Sequence, residues 1–186
     1  MSPWGKNVNW TDVCIAIFTA VLAVLAILQT LILAKTVEMS RNDQRAWVGA
    51  ADMSTPEVQW GSRLKLSIPL SNSGRTPARH VKIEFDSSVN PRGKTFKADY
   101  RPNADAGPQS VPVIQPGARH YINAVRVQPF TGEEESGIGS GEMLLVVYGR
   151  ITYDDVFGRN HKTTFAYRWV PALSVWRALD TNNDAD

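Results

Sequence analysis

Asp154, Asp155 and His161 are the residues of this chain best suited to do chemistry. Gly158 lies between the two carboxylates and the imidazole, so a tight return of the chain could set a carboxylate beside the ring. Such a pair serves proton transfer or, with further ligands, holds a divalent metal. The same spacing also describes a hairpin loop. In that reading Asp154 or Asp155 caps the turn, Gly158 relaxes it, and His161 opens the return strand. The run Asp154-Asp155-Val156-Phe157-Gly158-Arg159-Asn160 is turn chemistry throughout and favours the loop. His80 and His120 have no partners at ligand spacing. Glu133-Glu134-Glu135, set among glycines, reads as a solvated charge cluster within a flexible or short helical connection at 131–141. Asp155-Val156-Phe157-Gly158 lacks the glycine loop and catalytic loop that would accompany it in a kinase. Nucleophile elbow, P-loop and dinucleotide fingerprint are all missing. We therefore expect no catalytic residue, no metal site and no cofactor.

The elements that must position these side chains are mostly strands. Trp47–Ala51 reads as a first strand, and Val58 with Trp60 suggests a second. Leu64, Leu66, Ile68 and Leu70 alternate with polar residues, the period of a strand with one buried face. Pro69 within it cannot donate to a ladder and points to an edge or a bulge. Val81, Ile83 and Phe85 alternate in the next strand. Residues 90–112, rich in Pro, Gly, Asn and Asp, read as a long surface loop, and Gln115-Pro116-Gly117 as a turn. Residues 118–128 read as a strand. Met143–Tyr153 and His161–Val170 form a hairpin, with Thr163, Phe165, Tyr167 and Trp169 on one face. Pro171 opens a short terminal helix over ALSVWRALD, since proline suits a first helical position. The tail TNNDAD reads as disordered.

Residues 13–34, VCIAIFTAVLAVLAILQTLILA, carry no charge. As a helix the run is about 33 Å long, against a bilayer hydrocarbon core of about 30 Å. It is longer than a secretory h-region and lacks a small-residue cleavage site after it, so we expect an uncleaved anchor. Trp4 and Trp10 flank it as headgroup-level aromatics. Gln29 can bond a neighbouring helix in lipid, snorkel, or bond its own backbone. KTVEMSRNDQR, 35–45, continues the helix as a stalk. Lys6 stands alone on the N-terminal side against Lys35, Arg41 and Arg45 beyond the run. This asymmetry favours a cytoplasmic C-terminal domain.

With 186 residues and one anchor, the remainder suffices for one globular domain. The single cysteine, Cys14, lies in the apolar run, so the domain has neither disulfide nor thiolate metal site. A net charge of +2, with mixed signs along the chain, excludes a nucleic-acid-binding stripe. Short strands with turn signals and little helix point to an antiparallel sandwich.

Between two of these strands lies Ser71-Asn72-Ser73-Gly74-Arg75-Thr76-Pro77-Ala78. Here Asn72 caps the turn, Gly74 supplies positive φ, and Pro77 stiffens the exit. The pattern Asn-x-Gly-x-Thr-Pro-Ala resembles the turn of bacterial immunoglobulin-like domains of the CARDB type. Arg45-Ala46-Trp47-Val48, and Tyr153-Asp154-Asp155-Val156-Phe157-Gly158 with His161 and Thr164, resemble a group of uncharacterised bacterial single-pass membrane proteins. The resemblance covers most of residues 10–169. It implies an anchored immunoglobulin-like sandwich and carries no activity with it.

The expected protein is thus mainly β. A tail at 1–12 is followed by a transmembrane helix at 13–34 and a helical stalk at 35–45. An immunoglobulin-like antiparallel β-sandwich at 46–170 follows, then a short helix and tail at 171–186. Its expected place is the bacterial inner membrane, in contact with the lipid bilayer and membrane protein partners and with no nucleic acid. The expected role is a non-catalytic binding or accessory module, a subunit or scaffold of a larger complex. The rivals are a metal-dependent hydrolase using the 154–161 loop and an envelope ligand sensor using the 90–112 loop. The candidate turn residues are Asn72, Gly74, Thr76, Pro77, Asp154 and Gly158. The candidate interaction residues are Gln29, Trp169, Leu173, Trp176 and Arg177, because a terminal segment this apolar packs on the domain, lies in the membrane interface or docks on another subunit.

Overall fold

A computed structural model describes residues 9–50, 53, 65–98, 100, 109–125 and 128–186. The expected strand at Val58 and Trp60 lies outside these residues. The chain divides into two units, Met1–Asp43 and Gln44–Asp186.

The first unit is dominated by helix α1, Trp10–Gln44. At about 1.5 Å per residue its 35 residues extend about 52 Å, which accommodates both the apolar run and the stalk. No residue of α1 is buried. It is one helix long and apolar enough to cross a membrane. The hydroxyls of Thr19 and Thr30 donate to the carbonyls of Ile15 and Ala26 at 2.8 and 2.9 Å, so neither brings an unmet polar group into the apolar stretch.

The second unit is built from two antiparallel sheets. One holds β1 (Val48–Ala50), β2 (Lys65–Asn72) and β5 (Arg119–Val125), in the order β1-β2-β5. The other holds β3 (Ala78–Pro91), β4 (Gln109–Ile114), β6 (Met143–Asp154), β7 (Asn160–Val170) and β8 (Val175–Ala178), in the order β4-β3-β6-β7-β8. A two-residue β9, Asp184–Ala185, also pairs with β7. Leu66, Ile68, Leu70 and Ile122 of the first sheet share one core with Val81, Ile83, Ile151, Tyr153 and Phe165 of the second. Alternation in the sequence specifies these faces, because a one-residue slip would turn each set towards solvent.

Several expectations are corrected here. The strand containing Pro69 is central: β5 pairs along it, and β1 pairs from Leu70 onwards. The loop expected at 90–112 is shorter, because β3 runs to Pro91 and β4 already begins at Gln109. Of the two readings of the 131–141 connection, the short helical one holds: it is α2 (Gly132–Ser140). Thr131 accepts from the Glu134 N–H, and Glu134 accepts from the Thr131 N–H, so a capping box starts it. Left-handed Gly141 ends it.

The terminal helix is absent. Pro171–Leu173 form one 3-10 turn, left-handed Ser174 reverses the chain, and Val175–Ala178 return as strand β8 against Tyr167–Val170. The tail is ordered too. Asn183 donates to the Ala166 carbonyl and accepts from the Ala166 N–H, standing in for a strand partner between β8 and β9. The physical reason is the exposed edge of β7: unpaired ladder groups there are better satisfied by the chain's own C-terminal residues than left to solvent.

The continuous apolar run of β6 also has a structural cause. Its Leu145 and Val147 face the shared core, while Val146 and Tyr148 face a second cluster on the opposite side of the sheet. Phe96, Ala98, Tyr100 and Leu179 cover that side. A strand buried on both faces needs no polar alternation.

Candidate functional site

The residues expected to carry chemistry do come together. The β6–β7 turn places the Asp155 carboxylate 2.9 Å from His161 Nε2, with side chains only 1% and 8% exposed. Arg45, just past the end of α1, sets Nη1 3.1 Å from His161 Nδ1. A guanidinium can only donate, so Nδ1 accepts and the Nε2 proton is the one given to Asp155. The other Asp155 oxygen accepts from the backbone N–H groups of Phe157 (2.8 Å) and Arg159 (2.9 Å). Gly158 takes φ +79°, the left-handed conformation that closes the turn. Burial pushes the Asp155 carboxyl up, but the hydrogen bonds from His161, Arg159 and Phe157 outweigh it and hold the group below its ordinary value of 3.8.

It is therefore Asp155 that caps the turn. Asp154, the other candidate for the cap, instead accepts from Asn160 Nδ2 at 3.0 Å and meets His80 Nδ1 at 3.0 Å. The Asn160 bond, then that of His80, lowers its pKa. Sequence reading gave His80 no partner. A register shift between Arg79 and Lys82, with His80 at φ +50°, brings its side chain to Asp154.

The arrangement spends its polar atoms on structure. Each Asp155 oxygen and each His161 ring nitrogen already has a protein partner. Among the described residues no group of three His, Cys, Asp or Glu side chains is placed to hold a metal ion. Glu133, Glu134 and Glu135 form the first turn of α2, where acidic side chains favour the helix N-terminus. Asp155→Asn is expected to destabilise the full chain in micelles by about 2 kcal/mol at pH 7, as a charge-assisted bond to His161 is lost. A carboxyl with a depressed folded pKa contributes stability above its unfolded value and loses it as pH falls through the folded one. The difference between wild type and variant should therefore shrink below about pH 3.8. Urea midpoints at pH 7 and pH 3 measure it, and a constant gap would contradict the assignment.

A second polar centre holds the start of the domain. Asn72 is fully buried. Its Oδ1 accepts from the N–H groups of Trp47 (3.1 Å) and Gly74 (3.0 Å). Its Nδ2 donates to the carbonyls of Thr76 (2.8 Å) and Ile114 (3.0 Å). One side chain thus joins the residue before β1, the turn after β2, and the end of β4. Gly74 does not supply positive φ, contrary to expectation. It is needed for space: a Cβ there would meet the backbone of Arg45, Ala46 and Trp47. Thr76 contributes its carbonyl to this centre, and Pro77 leads into β3. Tyr153 Oη donates to the Ala46 carbonyl and Tyr167 Oη to that of Ala50, and the Arg45 guanidinium stacks 3.6 Å from the Trp47 ring centre. Residues 45–50 are held at every second position or closer. The sequence signals were Asn72 and the Arg-Ala-Trp-Val run; their partnership across the fold had none.

The candidate interaction residues separate. Trp169 is buried, its ring centre 5.4 Å from that of half-buried Trp176, so this pair belongs to the domain interior. Leu173 and Arg177 are exposed on the far side of the 3-10 turn and on β8. Gln29 is exposed along α1.

A comparison with curated proteins gives no match. A family model described as a domain of unknown function, DUF8453, matches residues 10–172, taking in α1, the strands from β1 to β7, Arg45, Asn72, Asp155 and His161. The chain belongs to the DUF8453 family.

Proposed function

We propose that this protein is a non-catalytic, single-pass membrane protein whose β domain is a binding or accessory module of a larger membrane complex. The observation that carries the reading is the Arg45–His161–Asp155 cluster, in which both Asp155 oxygens and both His161 ring nitrogens are engaged in holding the turn and the domain entrance. In this reading the two sheets close as an immunoglobulin-like sandwich. Their antiparallel pairing and common core support it. Exposed Gln29 supports a partner within the bilayer, since an amide in lipid gains from bonding a neighbouring helix.

Extraction of native membranes in mild detergent, followed by cross-linking and mass spectrometry, is expected to recover the chain with an integral membrane protein. A chain that runs alone, with no cross-linked partner, would overturn the reading. The flanking basic residues support a domain on the cytoplasmic face of a bacterial inner membrane. Trypsin added to intact spheroplasts should then leave the exposed Arg92–Lys94 turn uncut, and cutting there would reverse the orientation.

A further inference from the structure

A groove of about 600 Å³ opens at the end of the second sheet where α2 finishes. Three arginines line it: Arg92 from the turn after β3, Arg168 from β7 and Arg177 from β8. Among the described residues, no acidic one lines it. The neighbouring Glu142 is exposed and outside the lining. Met143, Leu144 and Trp169 supply an apolar wall.

Two features set this groove apart from an ordinary basic surface. Arg168 and Arg177 are directly opposite each other across the β7–β8 ladder. Like charges in that position destabilise a sheet. On the same sheet Arg150 is opposite Glu84 and bonded to it, so the fold elsewhere obeys the rule. In addition, Arg168 Nε is buried with no hydrogen-bond partner within the protein, which costs free energy. A bound anion would relieve the cross-strand repulsion directly, and a turn of the Arg168 guanidinium towards it would give Nε a partner.

We propose that this groove binds a phosphate group. A guanidinium presents a planar fork that matches phosphate oxygens two at a time. Three such forks around one groove suit a tetrahedral oxyanion, with more acceptor oxygens than a single carboxylate offers. The volume falls within the range of small-ligand sites, and the apolar wall leaves room for a carbon body attached to the phosphate. Neither the partner complex nor the orientation of the domain enters this inference.

Calorimetry on the full chain in uncharged maltoside micelles tests it with two probes, inorganic phosphate and monomeric dihexanoyl phosphatidylglycerol. Saturable binding of inorganic phosphate assigns the site to a free or soluble phosphate. Binding of dihexanoyl phosphatidylglycerol without inorganic phosphate assigns it to a lipid headgroup. Either should weaken by at least about tenfold in Arg177→Gln and in Arg168→Gln, a loss of one charge-assisted fork. Arg119→Gln, on exposed β5 outside the groove, should bind as wild type. In anion-free buffer, Arg177→Gln is expected to leave the melting temperature unchanged or raise it, because the cross-strand repulsion is relieved. That readout separates a folding defect from a lost ligand contact. The proposal is overturned if neither probe binds, if both groove variants bind as wild type, or if Arg119→Gln weakens binding as much as they do.

Discussion

Asn72→Ala is expected to destabilise the protein by on the order of 4 kcal/mol, a large part of the 5–15 kcal/mol typical of a folded domain. Truncation takes the side-chain partner from four backbone groups: the buried carbonyl of Ile114, and the partly buried N–H groups of Trp47 and Gly74 and carbonyl of Thr76. Each unsatisfied group costs about 1–3 kcal/mol, and no water reaches a side chain with zero exposure without the surrounding packing opening. Asn72→Asp separates chemistry from shape. The carboxylate can still accept from Trp47 and Gly74, but it offers no donor to the two carbonyls and buries a charge beside them. A loss of similar size is therefore expected despite near-identical volume. Urea unfolding of the full chain in micelles, followed by tryptophan fluorescence, measures both. A shift under about 1 kcal/mol for Asn72→Ala would show that the amide is not the organising contact.

Gly74→Ala should cost about 3 kcal/mol through a different mechanism. The added carbon would lie 2.5 Å from the Trp47 nitrogen and 2.7 Å from the Ala46 Cα. These are backbone atoms with no rotamer to change, so the strand entering the domain must shift bodily. That shift would lengthen the Trp47–Asn72 bond and the 2.9 Å bond from the Ser73 N–H to the Trp47 carbonyl. Amide exchange at Trp47 and Ser73 should accelerate first. Because both substitutions break one centre, the double variant should lose less than the sum of the singles. Strict additivity would mean that the glycine and the asparagine act independently.

The two predictions concern a turn whose importance was legible in the sequence but whose reason was not. Asn, Gly and Pro between alternating strands announce a turn by local chemistry alone. That Asn72 reaches Ile114, and that Gly74 lies under residues 45–47, depends on contacts between segments far apart in the chain. Asp155 and His161 show the same division. Their closeness follows from a five-residue hairpin connection, so sequence placed them together. The choice of Asp155 over Asp154 as the cap, and the arrival of Arg45 at the other ring nitrogen, depend on strand register and on where the chain enters the domain.

The sequence by itself determined the elements whose physics is local. The charge-free run specifies α1 because in lipid every backbone group must bond within the helix. Period-two alternation specifies β2, β3 and β7, and turn residues specify the hairpin. Tertiary structure decided the rest. The segment ALSVWRALD after Pro171 reads as a helix, but its Val175–Ala178 becomes a strand, because the open edge of β7 offers ladder hydrogen bonds and Trp169 offers a ring to pack on. The same pairing sets Arg168 against Arg177, two residues nine positions apart whose juxtaposition no local pattern encodes. Local preference for a short terminal segment is worth only tenths of a kcal/mol per residue, so the neighbouring sheet edge overrides it.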